Sequence, residues 1–119
     1  DGGHNPHAAR AIARQLNNMP GRTALVAAML ASKDATGYFM PFRQVRPEVF
    51  TLPNAPGHQG AEPQALAEAA TNAGLKAAAY DSLEAALKAA ATTGVDRILI
   101  CGSLYLAGEV LAQNGEPPA

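Results

Sequence analysis

Tryptophan is absent, cysteine occurs once, and nowhere does the chain gather a block of lysine or arginine. The lone Cys101 excludes an internal disulfide and suits a reducing compartment, so a cytoplasmic setting is expected. No stretch approaches the roughly 18–20 consecutive apolar residues that a membrane-spanning helix needs. The opening Asp1-Gly2-Gly3-His4 has no basic segment and no initiator Met, so it is no signal peptide and reads as a chain cut from something longer. A reader of nucleic-acid backbones normally carries a basic face. A formal net charge of -1 and a pI near 6.3 argue against one.

What is present is globular: 119 residues, 48% hydrophobic and 16% charged, enough for one domain with a real core. Short apolar runs alternate with Ala-rich stretches of helical periodicity. Asn5 and Pro6 make a helix start, an Asn cap followed by Pro where no amide donor is missed, and Ala8, Ile12 and Leu16 recur at helical spacing to about Asn18. Residues 23–30 (TALVAAML) are too short and too apolar for a surface helix and predict a buried strand. A short helix is expected over Thr36–Gln44 and a second strand over Val49–Leu52. A turn-rich loop follows over 54–62, where His58 is expected to be solvated.

Pro63 opens a third helix that Gly74 closes, and a weaker strand follows at Lys76–Tyr80. Asp81 and Glu84 have capping-box spacing for a helix to about Ala91. Arg97–Cys101 (RILIC) is the clearest strand, Gly102 breaks it, and Leu104–Leu111 supplies a last helix. This alternation predicts an α/β fold: a three-layer, Rossmann-like, mostly parallel sheet with helices on both faces. Tyr38, Phe39, Phe42 and Phe50 are expected to fill its core.

Sheets of this kind bind ligands beyond the carboxyl ends of their strands, which selects the junctions worth examining. In Asp1–Pro6 two glycines permit a sharp turn and close approach to a ligand, and Asp1 could bond a sugar hydroxyl. The same residues also read as a tight turn with a helix cap. In Ala31–Asp34, Lys33 could hold a carboxylate as a point charge, or it is a solvated lysine beside an Asp34 cap. In Cys101–Tyr105, Ser103 lies near a helix start that favours an anion, or it only caps. No G-x-S-x-G elbow surrounds it, and Cys101, with no base beside it, reads as buried and inert. His4 and His7 lack a third ligand at metal spacing, so no metal site is expected here.

Three of these junctions together resemble one family. Asp1–Ala8 (DGGHNPHA), Met29–Asp34 (MLASKD) and Cys101–Leu111 (CGSLYLAGEVL) are similar, in matching order, to signature blocks of the carboxy-terminal domain of folylpolyglutamate synthase / dihydrofolate synthase, within the Mur ligase superfamily. The resemblance implies an ATP-dependent amide-forming ligase. It activates a pteroate or folate carboxylate as an acyl phosphate, which the amine of L-glutamate then attacks. It implies ATP and Mg2+ in a full-length enzyme, with the metal ligands and the P-loop in an amino-terminal partner domain that this chain lacks. Asp1 would bond the ATP ribose, His4 would lie beside the nucleotide and support catalysis, and Asn5 would hold the turn. Lys33 and Ser103 would bind glutamate carboxylate oxygens. The implied partners are that P-loop domain and the small-molecule substrates, with no nucleic acid and no membrane.

The chain departs from the family's pattern at three places. Gly3 replaces a more usual Ala, and Ala28 replaces a common Gly, where a methyl could narrow the approach of a ligand. The chain also starts after the family's first strand, so alone it should not catalyse. Upstream residues, or another chain, are expected to fill the slot of that strand. A different class remains open: a free-standing nucleotide- or small-ligand-binding α/β module with a regulatory role. Upstream sequence separates the two, because a P-loop domain belongs only to the ligase. A receiver-like domain fits poorly, since Pro53 and Asn54 stand where it needs a strand-end Asp.

Overall fold

The protein is described by a computed structural model over residues 6–29, 34–53 and 60–102. In chain order its elements are α1 (Pro6–Asn17), β1 (Thr23–Ala28), α2 (Ala35–Phe39), a 3-10 turn (Met40–Phe42), β2 (Glu48–Thr51), α3 (Pro63–Asn72), β3 (Ala77–Ala79), α4 (Leu83–Thr92) and β4 (Arg97–Gly102). The four strands form one parallel sheet in the order β3-β2-β1-β4. β1 sits between β2 and β4, and all six of its residues are buried, which is why this stretch carries no polar alternation.

Alternate residues of the strands supply two cores. Leu25, Ala27 and Val49 face α1, α2 and α3, where they meet Ala9, Ala13, Leu16, Tyr38, Phe39, Phe42, Leu66 and Ala70. Ala24, Val26 and Phe50 face α4, where they meet Leu83, Ala86 and Ala90. The run β1, β2, β3 progresses one way across the sheet, and the step to β4 reverses direction. Right-handed crossovers then place the last connecting helix on the opposite face, as α4 is. The sheet with helices on both faces and the aromatic core match the sequence-based expectation.

Local chemistry sets the element ends. Asp34 caps α2, its Oδ1 accepting from the Gly37 amide at 2.9 Å. Past Phe39 the helix tightens into a 3-10 turn, because Pro41 has no amide to continue the wider ladder. Pro63 opens α3, and Gly74 closes it with φ +91°, the left-handed geometry that glycine adopts without steric cost. One expectation shifts by a residue. Ser82, not Asp81, caps α4, its hydroxyl accepting from the Ala85 amide at 3.1 Å. Ser82 takes the extended backbone that a cap needs, leaving Asp81 outside and Glu84 in the first turn, where a negative charge suits the helix dipole. Asn5, the loop residues 54–59 with His58, and the expected helix Leu104–Leu111 lie outside the described residues.

Candidate functional site

The carboxyl edge of the sheet is built by three backbone ties. The Leu52 amide donates to the Ala27 carbonyl (3.1 Å), the Ala61 amide to the Met29 carbonyl (2.9 Å), and the Tyr80 amide to the Thr51 carbonyl (2.8 Å). Thr51 is fully buried at the end of β2, and its hydroxyl donates to the Pro63 carbonyl at 2.6 Å, fastening the strand to the first turn of α3. Sequence reasoning missed this residue. A threonine in a strand signals only β-propensity until the partner carbonyl is known.

At this edge β1 and β4 end side by side, with Ala28 in register with Gly102. From Ala28 and Met29 the sequence runs into the segment bearing Lys33, and from Gly102 directly into Ser103. The two expected carboxylate-binding residues therefore follow the ends of adjacent strands. Asp1, His4 and Asn5, expected at the nucleotide, precede α1, which begins at Pro6. All five residues (Asp1, His4, Asn5, Lys33 and Ser103) lie outside the described residues, whereas their anchors Pro6, Met29, Asp34 and Gly102 lie within them. The methyl of Ala28 belongs to the core packed beneath α4, so its burial serves the sheet.

Cys101, one residue inside this edge, is buried and free. Burial pushes its thiol up to about 11, a rise that a contact with the Tyr38 hydroxyl partly offsets. At neutral pH it is a protonated, inert thiol, as expected. Burial also raises the Tyr38 hydroxyl, with Cys101 the second cause. The thiol is too weak and too poorly placed to count as a full partner, so among the described residues that hydroxyl is unsatisfied.

Comparison with known proteins places the chain in a family. The family described as Mur ligase, glutamate ligase domain, matches residues 1–104. This chain belongs to that family. Among solved structures, the Mycobacterium tuberculosis folylpolyglutamate synthase complexed with ADP and AMPPCP superposes with a TM-score of 0.85 at 23% identity, over 100% of this chain and 30% of that one. The bifunctional folylpolyglutamate synthase/dihydrofolate synthase of Yersinia pestis CO92 gives 0.78 at 28% identity, over 94% and 27%. The same Yersinia enzyme complexed with AMPPNP and a Mn ion gives 0.75 at 26%, again over 94% and 27%. The glutamate ligase domain described here thus spans under a third of the length of the chains it resembles. No curated protein matches it. Among the described residues no helix is long and apolar enough to cross a membrane.

Proposed function

We propose that this domain is the carboxy-terminal, glutamate-placing part of an ATP-dependent ligase that joins L-glutamate to dihydropteroate, folate or both. The observation that carries the reading is the pairing of β1 with β4 through Ala28 and Gly102, which starts the Lys33 and Ser103 segments from neighbouring strand ends. A cation and a hydroxyl that follow the ends of neighbouring strands suit the two oxygens of a carboxylate. Asp1 bonds the ribose of ATP, His4 lies beside the nucleotide, and Asn5 holds the turn between them. Holding the glutamate amine against the acyl phosphate is a proximity effect worth several kcal/mol. Closure over an amino-terminal P-loop domain excludes the water that would hydrolyse that intermediate. The P-loop and the ligands for Mg2+ reside in that other domain, and the cytoplasm is the proposed setting.

The position of α1 supports a strand ahead of it. α1 lies on the same face as α2 and α3, so a parallel strand feeding it by a right-handed crossover stands on the β4 side of β1. Both sides of β1 are occupied, which leaves the outer edge of β4. There Ile98 is 38% exposed, although the strand is among the most apolar in the chain.

Steady-state kinetics on the full enzyme test the role assignment. Lys33→Ala and Ser103→Ala should raise the KM for glutamate at least tenfold with a smaller effect on ATP, and Asp1→Ala should do the reverse. Equal effects of all three on both substrates would contradict it.

A further inference from the structure

A cleft of about 1300 Å³ opens at the amino edge of the sheet, opposite the carboxyl edge, and its lining includes Arg10, Arg14, Arg22, Arg43, Arg46 and Lys76. Six of the nine lysines and arginines of a chain whose net charge is -1 converge there. One carboxylate, Glu48, is in the lining, and it pairs with Arg22 at 3.2 Å, the only ion pair among the described residues. Asp96 stands at the margin, with Oδ2 already accepting the Arg22 amide at 2.7 Å. Among the described residues the other five cations form no ion pair with a carboxylate.

The cations come from separate elements that the fold brings together. Arg10 and Arg14 are a turn apart on one side of α1, Arg22 precedes β1, Arg43 and Arg46 follow the 3-10 turn, and Lys76 precedes β3. Arg46 is also the one described non-glycine residue with a left-handed backbone, φ 55°. Its amide donates to the Phe42 carbonyl at 2.9 Å, a helix-ending position that glycine normally fills. The chain therefore carries a long cation at a site where backbone energetics favour having no side chain.

We propose that this cleft binds a small polyanion, a flexible molecule with several phosphate or carboxylate groups along its length. Guanidinium forks match the planar or tetrahedral oxyanions of both groups bidentately, and five of the six cations are arginines. The cleft is concave and exceeds the usual span of small-molecule pockets, which suits an extended ligand better than a single anion. It has no aromatic side chain among its lining residues, so nothing there would stack a nucleobase. The site is separate from the carboxyl edge and does not depend on the glutamate-placing reading.

Calorimetric titration of the full chain, with ADP saturating so that a nucleotide site elsewhere is silent, tests the proposal with tripolyphosphate in one arm and γ-linked triglutamate in the other. At least one should bind, the tighter arm telling phosphate from carboxylate, and raising the salt concentration should weaken it. Arg10→Gln/Arg14→Gln, a pair of exposed changes on a helix surface, should weaken that binding at least tenfold with the circular dichroism spectrum unchanged. Arg46→Gly, which relieves the backbone, should also weaken it. No heat with either probe at millimolar concentration, or wild-type affinity in both variants, overturns the site.

Discussion

At the scale of single residues, the informative pair is Cys101 and Tyr38. Both are buried, and burial raises both acids above their ordinary range, the thiol to about 11. A group whose folded pKa is raised binds its proton more tightly in the native state, so its contribution is whole below the unfolded pKa and is lost as pH climbs through the folded one. For the thiol that window runs from 9.0 to about 11, a loss of order 2–3 kcal/mol. Denaturant midpoints measured across this range should fall, and Cys101→Ala/Tyr38→Phe should flatten the decline. An unchanged slope in the double variant would place the alkaline sensitivity elsewhere.

At the scale of elements, the end of the α2 and 3-10 helical stretch is the place to test backbone chemistry. Arg46→Gly should raise stability by about 1 kcal/mol in chemical denaturation, because a left-handed residue with a Cβ costs about 1–2 kcal/mol that glycine avoids. A loss of stability would mean that the Arg46 side chain contributes more to the fold than its backbone costs. How far such elements were legible depended on how local their cause is. The strands β1 and β4 stood out as apolar runs, and Pro63 and Gly74 marked both ends of α3 through chemistry of their own backbone. The cap of α4 was displaced by one residue because Asp81 and Ser82 are both capable and only backbone geometry chooses between them. The arginine cleft was invisible, since its cations are scattered from position 10 to position 76 and only folding collects them. The proposed carboxyl-edge site rests on three sequence blocks, and the structure adds the β1–β4 adjacency at whose ends two of them continue.

At the scale of the whole molecule, the exposed outer edge of β4 has energetic weight. A strand contributing three apolar side chains at about 1.5–3 kcal/mol each would add roughly 5–9 kcal/mol. That is comparable to the entire stability of a typical domain, about 5–15 kcal/mol. A polypeptide without a strand on that edge is therefore expected to self-associate or to melt without cooperativity. One with that edge covered should be monomeric and should protect the β4 amides from hydrogen exchange. Sedimentation of the 12.2 kDa chain as a monomer, combined with a sharp melting transition, would sink this expectation.

The clasp between Arg22 and Asp96 joins residues 74 positions apart and starts the pairing of β1 with β4. On a ribosome adding about 5–20 residues each second, β1 is synthesised some 4–15 s before its second neighbour exists. For that interval the nascent chain displays a largely apolar segment with one side unmatched, a natural target for chaperones. Slower translation through the stretch between them would prolong that exposure, so the yield of soluble protein should depend on codon choice there.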